Sequence, residues 1–317
     1  MTPILIALGA IAVVGGALAF WTLYITRKID AALPATGQWV DVSGGRIHYV
    51  EMGPKDAKGP AIVMIHGIMA QLRHFSYGFA ERMAVDHRVI LLDRPGWGHS
   101  TISGKRPAIG AQADMIAEAL AKLGVEKPLI VGHSMGGAVS LALAIRHPEA
   151  ARGLALIAPL TQPIDKIVDT FASLLVPQRI APIIAWTLSV PIGIRGGATK
   201  AAQAFSPDPV PADFGLKGGG MLALKPASFQ SGVFEIASGP AEMTAQAARY
   251  GEIAIPVAIL YGNGDYLLEP DLHGDKTAAA IPGAKLTRIE GGHMLQVCHA
   301  DATEAWLRNV LKEGETG

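Results

Sequence analysis

The stretch Gly132-His133-Ser134-Met135-Gly136 contains the residue types of a nucleophilic serine site. The apolar run Pro128–Val131 before it predicts a buried strand, and the run Gly137–Ile145 after it predicts a buried helix. A strand that passes directly into a helix needs a tight turn, which flanking glycines permit, and such a turn presents the serine hydroxyl at the sheet edge. Because a glycine-rich turn with a serine of no function fits the same short pattern, the interpretation depends on partners elsewhere in the chain.

Two candidates for the groups that activate a serine lie downstream. Serine is a weak nucleophile at its free pKa, so it needs a general base and a group that orients the base. The strand pattern Ile255–Gly262 leads to Asp265, and the strand pattern Ala284–Glu290 leads to His293. Ser134, Asp265 and His293 therefore follow in the order serine, acid, histidine, with both partners just past strand ends. We predict that His293 is the base and Asp265 its acid.

Other residues of suitable type compete for these roles. His299 is a second histidine, but it stands at the start of the last predicted helix, where a surface position is favoured. Asp165 is a second carboxylate, close after a strand that ends near Ala158-Pro159. His66 follows the buried-strand pattern Ile62–Ile65 and precedes a glycine. A histidine in that position more often holds a loop in place than takes part in chemistry.

The loop after Ile62–Ile65 also offers donors for the negative charge that develops on a carbonyl oxygen during acyl transfer. Backbone N–H groups fixed in advance stabilise such an oxyanion. The expected pair is the N–H of Ile68, in the loop His66–Met69, and the N–H of Met135, directly after Ser134.

Together these segments resemble the α/β-hydrolase fold superfamily, in particular its esterase, lipase and haloperoxidase-like members. The motifs that carry the resemblance cover most of the chain from about Trp39 onward: His66-Gly67, Asp93-Arg94-Pro95-Gly96-Trp97-Gly98-His99-Ser100, the Ser134 turn, Gly262–Asp265 and Gly291–His293. The resemblance implies an α/β fold with a mostly parallel central sheet, helices on both faces and an inserted helical cap. It also implies that the Asp93–Ser100 loop is structural, so that Ser100 has no catalytic role.

These residues favour a serine hydrolase that cleaves a carboxylic ester of an apolar substrate through an acyl-enzyme. Relatives with epoxide hydrolase or haloalkane dehalogenase activity carry an aspartate where this chain has Ser134, which argues against both activities. A haloperoxidase-like perhydrolase or a carbon–carbon bond hydrolase would use the same triad, and the sequence does not separate them. A protein of this fold that only binds a ligand would be expected to have lost a triad member, and all three are present.

Composition narrows the range of ligands. The chain has 317 residues, of which half are hydrophobic and 17% are charged, and its formal net charge is zero. No basic run suggests nucleic acid, and the single cysteine, Cys298, excludes an internal disulfide. No cysteine–histidine spacing suggests a metal site and no glycine-rich phosphate loop is present, so we expect an enzyme without metal or cofactor. The sequence does not fix the oligomeric state.

The N-terminal segment differs from the rest of the chain. Residues Pro3–Ile25 include no charged residue, and a helix of that length would span about 35 Å, enough to cross a bilayer. Because no positive residue precedes the apolar run and it continues past the cleavage-like Ala17-Leu18-Ala19, we predict an uncleaved anchor rather than a signal peptide. Arg27 and Lys28 follow directly, and the positive-inside rule then favours a cytoplasmic catalytic domain.

The remaining pattern predicts a transmembrane anchor over residues 1–26, a linker over 27–38 and one hydrolase domain over 39–317. A hairpin, Trp39–Val42 with Arg46–Met52, leads into alternating strands and helices. The predicted strands are Ile62–Ile65, Val89–Leu92, Leu129–Val131 and Leu154–Ile157, and the predicted helices are Gln71–Val85, Ala108–Leu123 and Met135–Arg146. The alternation stops at Pro159 and resumes near Ile255, which indicates a cap at about 160–250. Its apolar segments Phe171–Val176 and Ile180–Leu188 must bury against the core, line a substrate channel or contact lipid.

Overall fold

A central sheet runs through the molecule, for which the computed structural model describes residues 3–164 and 166–316. The strands are β1 Gln38–Val42, β2 Gly45–Met52, β3 Ile62–Ile65, β4 Val89–Leu92, β5 Thr101–Ile102, β6 Leu129–His133, β7 Gly153–Ile157, β8 Val257–Gly262 and β9 Lys285–Ile289. The helices are α1 Pro3–Ala32, α2 Arg73–Ser76, α3 Phe79–Met83, α4 Ile109–Lys122, α5 Met135–Arg146, α6 Ala181–Thr187, α7 Ser189–Phe205, α8 Pro226–Ala247, α9 Lys276–Ala280, α10 Leu295–Cys298 and α11 Ala300–Thr316.

The strand order is β1-β2-β4-β3-β6-β7-β8-β9, and β5 pairs with β2. All pairs from β4 to β9 are parallel, while β2 pairs antiparallel with β1, β4 and β5. Every residue of β3, β4, β6, β7 and β8 is buried, as expected for parallel strands that are covered on both faces. The α/β-hydrolase fold predicted from the sequence is therefore confirmed.

One predicted helix is divided in the structure. The segment Gln71–Val85 forms α2 and α3 instead of a single helix, because Gly78 adopts a left-handed conformation with φ 87° between them. Phe75 of α2 and Phe79 of α3 both pack into the core cluster beneath β3 and β4.

The cap lies between β7 and β8, in the region predicted at about 160–250. It consists of α6, α7 and α8 with 3₁₀ helices at Asp169–Leu174 and Gly220–Leu224. A cluster of buried cap side chains, Leu174, Ala181, Ala185, Phe229 and Val233, packs against Ile68 and Met69. The cap thus covers the loop that follows β3.

Helix α1 continues beyond the predicted anchor, into the segment expected to be a linker. Ile29 and Leu33 are buried against Leu222 of the cap, and Asp30 forms an ion pair of 2.8 Å with Lys225. These contacts stabilise helical structure as far as Ala32. The helix is long and apolar enough to cross a membrane, with a mean hydropathy of 2.4 in its most apolar window, a property that N-terminal anchors and signal sequences share.

Candidate active site

Ser134 lies at the tight turn between β6 and α5. Its backbone has φ 53° and ψ −122°, a conformation that residues other than glycine rarely adopt. The turn is closely packed, since a Cβ at Gly136 would collide with the carbonyl of Ile65 and one at Gly137 with Pro159. The Ser134 amide donates to the carbonyl of Ile157, at 3.1 Å. The turn is therefore held by both neighbouring strands, and Ser134 is only 8% exposed.

Asp265 and His293 meet across the loops after β8 and β9. The Nδ1 of His293 lies 2.8 Å from Oδ2 of Asp265, and both side chains are buried. The other carboxylate oxygen accepts the N–H groups of Leu267 and Leu268, at 2.9 and 3.1 Å. Because the carboxylate only accepts, Nδ1 of His293 donates the proton, which leaves Nε2 of a neutral ring as the acceptor.

His133 connects the serine turn to the histidine loop. Its Nε2 donates to the carbonyl of His293, at 3.1 Å, and the two rings have centroids 4.8 Å apart. Burial, and then the nearby His293, hold the pKa of His133 well below its ordinary value, so the ring is neutral. Within residues 3–164 and 166–316, no hydrogen bond joins the Ser134 hydroxyl to the His293 ring. Such contacts are often long without substrate and shorten in the reacting complex.

The two predicted oxyanion donors flank Ser134. In the described part of the chain, neither the Ile68 amide nor the Met135 amide has an acceptor. Gly67 brings the first loop close to the serine, since a Cβ there would lie 2.9 Å from the Ser134 Cβ. Ile68, Ser134 and Met135 border the same pocket. Two unpaired N–H groups beside a serine hydroxyl are the arrangement that an oxyanion requires.

The pocket above Ser134 is lined almost entirely by apolar side chains. Its empty volume is about 470 Å³, part of which is open to solvent. The lining residues besides the three named above are Leu160, Ile164, Lys166, Ile167, Val168, Phe171, Ile236, Leu267 and Leu268. Most of them belong to the segment after β7, so the cap forms much of the wall. Lys166 is the only charged side chain among them.

Arg94 and Glu235 form a buried ion pair behind the loop His66–Met69. Their Nη1 and Oε1 atoms are 2.6 Å apart, and Glu235 also accepts from Trp97 Nε1, at 2.9 Å, and from Gln112 Nε2, at 3.0 Å. Nη2 of Arg94 donates to the carbonyl of Gly67, at 3.0 Å. Sequence analysis did not identify Glu235, because a single carboxylate in a cap helix has no local signature.

The competing residues have structural partners. His66 Nδ1 donates to the Gly67 carbonyl and its Nε2 accepts the Arg94 amide, while burial, and then Arg94, lower the pKa of His66 to about 3. Ser100 donates to the Asp93 carbonyl and accepts the amide of His48. These contacts agree with the loop-holding roles expected of His66 and Ser100. Asp165 lies outside the described residues.

Asp208, a cap residue, is a further participant that sequence analysis did not find. Its two carboxylate oxygens lie 2.9 Å from Nε2 of His299 and 3.0 Å from the amide of Gly292. His299 is half-buried rather than fully on the surface, because it packs beside Gly291. The cap thereby holds the loop that carries His293. Among the described residues, no group of three or more histidine, cysteine, aspartate or glutamate side chains is placed to bind a metal.

Comparison with known proteins gives a family and a range of relatives. Residues 60–300 match the sequence profile of the alpha/beta hydrolase fold family. A magnesium-chelatase 30 kDa subunit from Rhodobacter capsulatus is 26% identical over 270 residues, which cover 83% of this chain and 90% of that protein. A 2-hydroxy-6-oxononadienedioate/2-hydroxy-6-oxononatrienedioate hydrolase from Klebsiella pneumoniae is 27% identical over 87% of this chain and 96% of its own length. The solved structure of a membrane phospholipase A, described as a bacterial virulence factor, matches with a TM-score of 0.70 at 23% identity and covers 99% of this chain and 97% of that one. Relatives named as hydrolases support hydrolase activity, although the set also includes the chelatase subunit.

Proposed function

The chain belongs to the α/β-hydrolase fold family, and from that premise we propose that it is a membrane-anchored serine hydrolase that cleaves a carboxylic ester of an apolar substrate. The observation that carries the proposal is the hydrogen bond between His293 and Asp265 in loops beside the strained Ser134 turn. Ser134 is the nucleophile, His293 the general base and Asp265 the residue that orients His293.

The reaction follows from these positions. His293 Nε2 takes the hydroxyl proton as Ser134 attacks the ester carbonyl, and the N–H groups of Ile68 and Met135 stabilise the oxyanion. The protonated ring then gives its proton to the departing alkoxide, which leaves an acyl-enzyme. Water, deprotonated by the same ring, attacks the acyl group, and the acid departs as Ser134 recovers its proton.

The apolar pocket supports an apolar acyl chain as the part of the substrate that is buried. Side chains such as Leu160, Phe171 and Ile236 offer dispersion contacts but no hydrogen bonds. Burial of each methylene of a chain is worth about 0.8 kcal/mol. We therefore expect affinity to rise with chain length until the pocket is full.

A carbon–carbon bond hydrolase is the second candidate, because the Klebsiella relative has that kind of name. A dioate carries two carboxylates, whereas Lys166 is the only charged side chain among the described residues that line the pocket. Lys166 could pair with one carboxylate, and burying the second one without a partner in an apolar pocket would be costly. The lining therefore favours the ester over the dioate.

We propose α1 as the anchor, with the catalytic domain on the cytoplasmic side. The exposed apolar side chains between Ile4 and Phe20 support insertion, and Arg27 and Lys28 at the end of the span support the orientation. The membrane phospholipase of similar fold is consistent with such an association.

A fluorophosphonate probe tests the chemistry. Intact mass should show one adduct on the wild-type chain and none on Ser134→Ala, and p-nitrophenyl esters of increasing chain length should be hydrolysed only by the former. His293→Ala should fold but lose labelling, while His147→Ala, at the end of α5 far from Ser134, serves as the matched histidine control. Labelling or hydrolysis by Ser134→Ala at the wild-type rate would refute the proposed nucleophile.

A further inference from the structure

The cap packs against α1 from about Thr22 onward, whereas the most apolar 18-residue window of the helix has no buried residue. Helix α1 contacts α6, α7 and the 3₁₀ helix Gly220–Leu224. Its buried or half-buried side chains recur at helical spacing along one face, at Leu18, Thr22, Ile25 and Ile29. Thr22 is fully buried. The fully buried part of α1 therefore begins at Thr22, before the uncharged stretch ends at Thr26.

This overlap fixes the depth of the cap relative to the span. A hydrocarbon core of about 30 Å takes about 20 helical residues, so a span that starts at Pro3 reaches the far headgroups at about Thr22. The part of the cap that packs on α1 beside Thr22 must then lie level with the headgroups. If α1 spans the membrane in this way, the face of the cap that packs on α1 does not lie in bulk water.

The outer surface of the cap has the composition that such a position requires. Large apolar side chains are exposed over 40–66% of their surface at Leu175, Ile180, Ile183, Trp186, Ile192 and Ile194. The stretch from residue 170 to 207 contains three charged residues, Arg179, Arg195 and Lys200, all of them basic. Apolar side chains with interspersed cations match a leaflet that presents acyl chains and anionic headgroups.

We infer that α6 and the first half of α7 lie in the membrane interface, as a second point of membrane contact besides α1. The occupant of this surface is a lipid leaflet with anionic headgroups. The inference rests on the proposed anchoring by α1 and extends it to the catalytic domain. Phe171 lines the pocket and Leu175 is exposed on the outer surface of the same segment, so the lipid contact and the pocket wall are adjacent.

Site-specific fluorescent labels on the full chain test this depth. The chain is labelled at Ile183→Cys or Ile192→Cys and reconstituted in vesicles of phosphatidylcholine and phosphatidylglycerol. Val13→Cys, on the exposed face of α1, is the control for insertion, and Val85→Cys, on the hydrolase body, is the control for a label in water. Burial raises the pKa of the native Cys298 thiol to about 12, which favours the less reactive protonated form at neutral pH, and the unsubstituted chain is labelled in parallel as the control for this cysteine.

The readout is quenching by lipids with a spin label on the acyl chain, compared with quenching by iodide in water. We expect labels at 13, 183 and 192 to be quenched by the lipid, and the label at 85 by iodide only. If position 13 is quenched by lipid while 183 and 192 behave like 85, the inference is overturned and the anchor stands. Labels at 183 and 192 that neither quencher reaches would show a second protein copy on this surface, which also overturns it. No lipid quenching at position 13 would refute the anchoring itself.

Discussion

The Arg94 guanidinium donates a hydrogen bond of 3.0 Å to the carbonyl of Gly67, which shares a peptide unit with the Ile68 N–H. A rigid peptide plane points its N–H away from its C=O, so a cation held on the carbonyl fixes the direction of the N–H and polarises it. Glu235, on cap helix α8, holds that cation. The cap therefore positions one of the proposed oxyanion donors without touching the substrate.

Arg94→Lys should lower kcat with little change in KM, because a lysine keeps the charge opposite Glu235 but cannot reach all the acceptors of the guanidinium. The loss should be smaller than the roughly 100-fold cost of removing an oxyanion donor outright. Inhibition by a trifluoromethyl ketone, which forms a tetrahedral oxyanion on the serine, should weaken in parallel. Trp97→Phe is the control, since it removes one donor to Glu235 and leaves the Arg94–Gly67 contact in place. A change in KM alone would show that Arg94 only shapes the pocket.

Asp265→Asn should reduce ester hydrolysis at neutral pH by orders of magnitude, on the order of 10⁴ in a well-studied triad. The amide would favour the wrong tautomer of His293 and would not balance the charge of the protonated ring. Asp165→Asn, the other acid considered from the sequence, should change the rate little. Steady-state rates for the two variants decide between the acids, and the opposite ranking would move the acid to the segment after β7.

Most of the site follows from short-range sequence because its residues stand directly after strands. Ser134, Asp265 and His293 each occupy a loop at a strand end, and parallel strands bring those ends to one edge of the sheet. The glycines beside them mark close backbone approaches, which are also local. The position of the Ser134 turn and the order of the three loops could therefore be predicted.

The contacts that the sequence did not predict join residues far apart in the chain. Glu235 pairs with Arg94 across 141 positions, and its burial depends on where α8 lies over the sheet. The segment after Ile25 contains charged residues typical of a linker, yet Ile29 and Leu33 pack on Leu222 and keep it helical. Tertiary packing overrides local preference in both cases.

Gly136→Ala should prevent the Ser134 turn between β6 and α5 from forming. Its Cβ would overlap the carbonyls of Ile65 and His66, which are backbone atoms and cannot move aside without breaking β3 from α5. We expect loss of soluble, probe-reactive protein. Gly197→Ala is the matched control in helix α7, where an added Cβ meets nothing within 4 Å and the gain in helix propensity is up to about 1 kcal/mol. Wild-type labelling and melting temperature in Gly136→Ala would contradict the close packing described for the Ser134 turn.

His74→Leu should make the protein more resistant to acid. Burial lowers the pKa of His74 to about 4, and neither ring nitrogen has a hydrogen-bond partner among the described residues. The unfolded chain, with a histidine pKa near 6.5, then binds more protons, so this histidine removes stability as the pH falls from about 6.5 to 4. At pH 5 the loss is roughly 2 kcal/mol.

The pH dependence of the melting temperature measures this effect. The slope between pH 7 and pH 5 should be shallower for His74→Leu than for the wild type, whatever the change in stability at neutral pH. Phe75→Leu, at the next and fully buried position of α2, alters packing without removing a titratable group and should keep the wild-type slope. Equal slopes for all three proteins would mean that His74 does not resist protonation in the folded state.

Two shortened chains should differ in stability because the end of α1 is part of the folded domain. A chain that starts at Thr26 keeps Ile29 and Leu33, which are 1% and 2% exposed, and a chain that starts at Ala35 lacks both. Burial of one such side chain is worth about 1.5–3 kcal/mol, so the shorter chain should melt several degrees lower. Ile29→Ser in the longer chain should reproduce part of the loss. Both chains should hydrolyse a soluble ester, since every proposed catalytic residue follows Ala35. Equal melting temperatures would show that the end of α1 contributes nothing to the domain, and loss of hydrolysis in a folded shorter chain would show that it shapes the site.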